Sequence, residues 1–128
     1  MIGRREFTIL TGLSDRQLQT WRYRGLVRPQ ARVSTSHYRQ VNLYSPNEVV
    51  QARFFQALRK RGCSVQRIRS MMPSLVPIAG DYAVVRKSGV VWCQDARAAL
   101  TALIETPGSA YVIAVADLKK GLDQYGRV

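Results

Sequence analysis

Between Ser14 and Arg24 the chain gathers Arg16, Gln17, Gln19, Thr20, Arg22 and Arg24, and a second polar group, His37-Tyr38-Arg39, follows. A guanidinium presents a planar fork that fits two acceptors at once, on a guanine edge or a phosphate. A primary amide fits the donor and acceptor of adenine, and a hydroxyl serves either. The chemistry on offer is therefore recognition by hydrogen bonds rather than bond making. His37 is the only histidine, so a Ser-His-Asp site would have to draw its base from that segment, and Ser88-Gly89 reads as a hairpin turn rather than a phosphate loop. Cys63 and Cys93 are too few for a zinc site and have no neighbouring Cys or His, so both read as core residues. No enzyme activity, metal or cofactor is expected.

The charge distribution says what such a surface would recognise. The sequence of 128 residues has 20 Lys plus Arg against 8 Asp plus Glu, a formal charge of +12. Up to Met72 there are 14 cations, 13 of them Arg, against Glu6, Asp15 and Glu48; from Pro73 onward 6 cations face 5 acids. A polyanion would thus meet the N-terminal part, and Arg suits phosphate and guanine better than Lys does. The longest apolar run, Ala110 to Ala116, falls far short of the roughly 20 residues that span a bilayer. The start, with Arg4-Arg5 and no apolar stretch behind it, reads as no secretory signal, which places the protein in the cytoplasm.

These side chains need elements to hold them. Arg4 to Thr11 reads as a helix with Phe7 and Leu10 inward, ended by Gly12. Ser14-Asp15-Arg16-Gln17 is a capping box, so a second helix starts at Asp15, with Leu18 and Trp21 on one face and Gly25 closing it. Two helices joined by a tight glycine turn, the second with polar, Arg-bearing outer faces, have the layout of a helix-turn-helix. Pro29 to Leu43 loses helical periodicity and suits a β-hairpin with a long tip, a wing. Ser45-Pro46-Asn47-Glu48 starts a third helix carrying Val50, Phe54, Phe55, Ala57 and Leu58; Gly62 ends it, and Ser64 caps a fourth with Val65, Ile68, Met71 and Met72 inward until Pro73 stops it. Trp21, Phe54 and Phe55 read as core rather than as a base-stacking platform. Arg59-Lys60-Arg61 suits either a solvated helix end or phosphate contact.

After Pro73 to Pro77 the style changes. Tyr82 to Val85, a Ser88-Gly89 turn and Val90 to Cys93 form a hairpin. Asp95 caps a helix to Glu105 bearing Leu100, Leu103 and Ile104, Tyr111 to Val115 is a buried strand, and a last helix starts at Asp117. Tyr82, Trp92 and Tyr111 fill the minimal core of this module. The fold class is α+β, with a mostly helical, winged part in 1–76 and a β-β-α-β-α module in 77–128. So small a module buries a marginal core alone, which favours packing on the first domain or pairing with a second copy.

Leu10-Thr11-Gly12-Leu13-Ser14, then Leu18, Trp21, Gly25-Leu26-Val27 and Pro29, resembles the DNA-binding domain of the MerR (mercury-resistance regulator) family. Leu43-Tyr44-Ser45 and Leu58-Arg59-Lys60-Arg61-Gly62-Cys63-Ser64, followed by Ile68, continue the series in order. The resemblance implies a homodimeric winged helix-turn-helix transcription regulator on a palindromic double-stranded operator, with the second helix in the major groove. Ser14, Arg16, Gln17, Gln19, Thr20, Arg22 and Arg24 would then lie at the DNA, with His37, Tyr38 and Arg39 on the wing.

Three departures matter. Arg22 stands where the family usually has an acid. Gln40-Val41-Asn42 lengthen the wing, leaving both Arg39 and His37 as holders of the wing contact. Pro73 and Pro77 interrupt the long dimerisation helix of many members, so dimerisation and sensing are solved differently or are absent; the Val84 to Cys93 hairpin or the Tyr111 to Val115 strand could pair across a two-fold axis, and a small-molecule or protein effector would belong to the C-terminal module. Two other readings stand beside this one: an architectural protein, of nucleoid or phage-excision type, that bends DNA, and an antitoxin-like repressor whose second domain binds a protein partner.

Overall fold

The computed structural model describes residues 1–36 and 39–125. It divides into two compact units, Met1–Gln56 together with the segment from Gly121, and Ala57–Lys120. Ala57 lies within a helix, so this cut by compactness differs from the division after residue 76, which follows the change in sequence style.

In the first unit, α1 (Arg4–Thr11) buries Phe7 and ends at Gly12, whose amide still donates to the Thr8 carbonyl at 2.8 Å and whose left-handed φ of 76° then turns the chain out of the helix. Ahead of it, Ile2 exchanges two backbone hydrogen bonds with Tyr44, at 2.8 and 2.7 Å. The Tyr44 ring stacks on Phe7, with centroids 4.3 Å apart. Helix α2 (Asp15–Tyr23) opens with the expected capping box: the Gln17 amide donates to Ser14 Oγ at 3.0 Å, and the Ser14 amide donates to Gln17 Oε1 at 2.9 Å. Leu18 and Trp21 are its buried residues, and the Trp21 ring lies 6.5 Å from Phe55.

The wing is β1 (Ala31–Ser36) paired antiparallel with β2 (Arg39–Leu43), with a register shift between Ser34 and Ser36. The strands reach to within two residues of each other, so the expected long tip is replaced by paired strand. Gln40, Val41 and Asn42 are ladder partners of Ser34, Val33 and Arg32. His37 and Tyr38 lie outside the described residues.

Helix α3 (Pro46–Lys60) starts with a variant of the expected box. The Ser45 amide donates to Glu48 Oε1 at 3.3 Å and its hydroxyl donates to Glu48 Oε2, while the Glu48 amide donates to the Ser45 carbonyl at 3.1 Å. Phe54 and Phe55 are fully buried.

In the second unit, α4 (Val65–Leu75) is capped by Ser64 Oγ, which accepts from the Arg67 amide at 3.1 Å. Pro73 lies inside this helix and does not stop it. Proline removes one donor, yet the next carbonyl contact is kept: the Val76 amide donates to Met72 at 3.0 Å. Val76 itself is extended (φ −130°, ψ 130°), as a residue before proline tends to be, so the terminating residue is Pro77.

Strands β3 (Tyr82–Arg86), β4 (Gly89–Cys93) and β5 (Ala110–Ala114) form an antiparallel sheet in the order β4-β3-β5. Arg86 pairs with Gly89, so the turn is Lys87-Ser88, one residue earlier than expected. Helix α5 (Ala96–Glu105) is capped by Asp95 Oδ1, which accepts from the Ala98 amide at 2.7 Å. Its inward residues are Ala99, Ala102 and Leu103, which pack with Val84, Cys93, Tyr82 and Val91. Leu100 and Ile104, expected with Leu103, are 57% and 74% exposed. Their neighbours on the inward stripe are alanines, which allow close approach of helix and sheet without them.

The strand expected to be buried, β5, is an edge, since among the described residues only β3 pairs with it, and Val112 is exposed. Helix α6 (Val115–Leu118) begins two residues before the expected Asp117, and the first-turn amide of Val115 donates to the Asp81 carbonyl at 2.9 Å. The three aromatics do not share one core: Tyr82 packs toward α5, while Trp92 Nε1 donates to the Ser74 carbonyl of α4 at 3.0 Å and Tyr111 meets Arg61. A final turn of 3-10 helix, Asp123–Tyr125, belongs to the first unit. Among the described residues, no helix is long and apolar enough to cross a membrane.

Candidate nucleic-acid interface

The Ser14 cap orients α2 so that Leu18 and Trp21 turn inward while Arg16, Gln17, Gln19 and Thr20 remain exposed. Ser14, Arg16, Gln17 and Thr20 edge one shallow concavity over Trp21. Within it the Thr20 hydroxyl donates to the Arg16 carbonyl at 3.0 Å, and the Gln17 carbonyl is held by the Ser14 amide. Gln19 and Arg24 are exposed outside this concavity, Arg24 as the C-terminal cap of α2.

A second, larger cleft of about 580 Å³ lies among α1, the end of α2 and the wing, and Arg4, Arg5, Arg22 and Arg39 all line it. Glu6 is its one acidic lining residue, and the Tyr125 hydroxyl donates to the Glu6 carboxylate. That bond is the first cause of a raised Tyr125 phenol pKa. Four guanidiniums against one engaged carboxylate make a site for anions. Arg4 also approaches Asp15 at 3.8 Å, but both side chains are well exposed, and an ion pair of that kind contributes little. On the wing, Arg32 Nε donates to Asn42 Oδ1 at 3.1 Å across the ladder.

Next to this surface, Tyr44 is fully buried and its hydroxyl has no hydrogen-bond partner. Burial pushes its phenol up, and the fields of Arg22, Arg4 and Arg32 pull it back only in part.

The sequence profile of the MerR HTH family regulatory protein matches residues 5–75. The chain belongs to that family. Comparison with curated proteins and with solved structures gave no match. The MerR HTH family is a regulatory, DNA-binding one, and the matched span covers α1, α2, the wing, α3 and α4.

Within this MerR domain the structure brings Arg22 and Arg39 together with Arg4 and Arg5, which the charge count alone could not group. Arg22, at the family's usual acidic position, lines a cleft of like charge and so adds to its anion preference. Arg53, counted among the N-terminal cations, is instead spent internally: its Nε and Nη2 donate to the Leu10 carbonyl at 3.0 and 2.8 Å. Burial lowers its pKa. Neither Arg53 nor Tyr125 was legible as a partner, because the bonded residues are 43 and 119 positions apart.

Proposed function

We propose that the chain is a sequence-specific transcription regulator that binds a palindromic double-stranded operator as a homodimer, with α2 of each protomer in a major groove. The observation that carries this is the outer face of α2: a capped helix whose apolar side is buried and whose Arg16, Gln19 and Thr20 are exposed. Arg16 forks onto guanine, and Gln19 reads adenine. Gln17, with its carbonyl already bonded to Ser14, chiefly holds the start of the helix. Arg4, Arg5, Arg22 and Arg39 take phosphates across their cleft, with Arg24 beyond the helix end, and these contacts supply most of the affinity.

Residues 1–76 serve as the DNA-reading domain and 77–128 as the dimerisation domain, in the cytoplasm on the nucleoid. Support for pairing through the second unit comes from Leu100 and Ile104 on α5, which leave apolar surface in water, and from the unpaired edge of β5. Leu100→Glu combined with Ile104→Glu is expected to convert a dimer to a monomer in sedimentation, with the helical circular dichroism kept; an unchanged sedimentation coefficient would remove α5 from the interface.

The whole reading is tested by selecting genomic DNA with the purified full-length protein at near-physiological salt. Recovery of an inverted repeat beside promoters is the expected result. Diffuse or AT-rich recovery would instead support the architectural reading.

A further inference from the structure

The second unit contains a basic cleft that the DNA reading does not use. It has a volume of about 450 Å³, within the range of small-ligand sites. Arg61, Arg67, Arg86 and Lys87 line it, and among the described residues no carboxylate does. The Arg61 guanidinium lies over the Tyr111 ring, 4.7 Å from its centroid, and Arg67 Nη2 donates to the Lys87 carbonyl at 2.6 Å, which fixes two of the four cations. Met71, Val85 and Tyr111 give the cleft apolar wall.

Two features leave it incomplete as it stands. Arg86 Nε is buried without a hydrogen-bond partner, although buried donors are almost always satisfied. The Tyr111 phenol, pushed up first by burial and held back only partly by Arg61 and Arg67, stays neutral at pH 7 and offers the cations no counter-charge.

We propose that this cleft binds a small organic anion, a carboxylate or phosphate monoester carried on a flat apolar body. Its anionic oxygens meet the Arg67, Arg86 and Lys87 side chains that line the cleft, and its apolar body lies against Met71, Val85 and Tyr111. A phosphodiester of duplex DNA shares the anionic chemistry but stays at the protein surface.

The test uses the full-length protein without DNA, so its result is independent of operator recognition. Calorimetry is run with phenyl phosphate, benzoate, the neutral analogue benzamide and inorganic phosphate. Saturable one-to-one binding of phenyl phosphate or benzoate is expected, with benzamide silent and inorganic phosphate weaker. Arg86→Met keeps the apolar stem and is expected to weaken the bound anion about tenfold, the loss of a charge-assisted hydrogen bond. Lys87→Gln, at an exposed turn residue, should weaken it less, and it serves as the readout if Arg86→Met fails to fold. No binding of either aromatic anion at millimolar concentration would overturn the proposal. So would equal binding of inorganic phosphate with no response to either variant, which marks a diffuse basic surface. A third overturning result is weakened duplex binding by both variants with neither small anion bound, which marks a phosphodiester contact.

Discussion

Arg53 of α3 holds the Leu10 carbonyl in the last turn of α1 with two guanidinium donors, at 3.0 and 2.8 Å. Carbonyls at a helix end lack partners within the helix and carry its partial negative charge, so a cation there both satisfies and neutralises. The bond ties the first helix of the helix-turn-helix to the helix behind it. Arg53→Met, which keeps the stem, is expected to destabilise the fold by about 1.5 to 3 kcal/mol, the range for hydrogen bonds to charged groups. Urea unfolding checks it, and an unchanged midpoint would show the contact to be dispensable.

The base-reading role proposed for Arg16 can be separated from phosphate binding. Arg16→Ala is expected to lose about 1 to 3 kcal/mol on the selected operator and to relax one base position, with random DNA bound as before. Equal loss on both sequences would demote it to a backbone contact.

Arg22 and Arg39 face one cleft, and their signature differs from that of Arg16. Arg22→Ala and Arg39→Ala should each weaken operator and random DNA alike and flatten the dependence of log affinity on log salt by about one unit. A slope that stays put in the Arg39 variant would take the wing out of the interface.

Tyr44 carries a buried hydroxyl with no partner, so Tyr44→Phe keeps the ring on Phe7 and removes an unsatisfied group. Its stability at neutral pH is expected to equal or exceed the parent's by up to about 1 kcal/mol. The pH dependence has a defined sign. The folded phenol lies above its ordinary value of 10.0, so its contribution is whole below that value and is lost as pH rises through the folded one. The phenylalanine variant should therefore lose less stability than the parent between neutral and strongly alkaline solution. Parallel losses in denaturant midpoint would contradict this assignment.

What the sequence made legible was local. Ser14 with Gln17, Ser64, Asp95 and Gly12 mark helix ends through bonds to residues a few positions away, and each does so in the structure. Where a neighbour in space decided the outcome, the same reasoning went astray. Pro73 did not end α4, because a single missing donor is tolerated while the following carbonyl contact survives. Leu100 and Ile104 were expected with the inward Leu103, but alanines fill that stripe and leave them in water. Candidate α2 residues were readable because a capped amphipathic helix fixes its own outer face. The grouping of Arg4, Arg5, Arg22 and Arg39 was not, since it depends on how α1, α2 and the wing meet.

The wing strands run to within two residues of each other, so Arg39 opens β2 as a rung of a hydrogen-bonded ladder, opposite Ser36. In the proposed complex a phosphate would therefore meet a residue whose backbone is already held in the ladder. Freezing a loop costs on the order of 1 to 2 kcal/mol of backbone entropy per residue, and the proposed contact at Arg39 would avoid that cost. Encounter with DNA should then be a docking event steered by charge, with an association rate that falls steeply with ionic strength, rather than a slow capture that waits for a loop to settle.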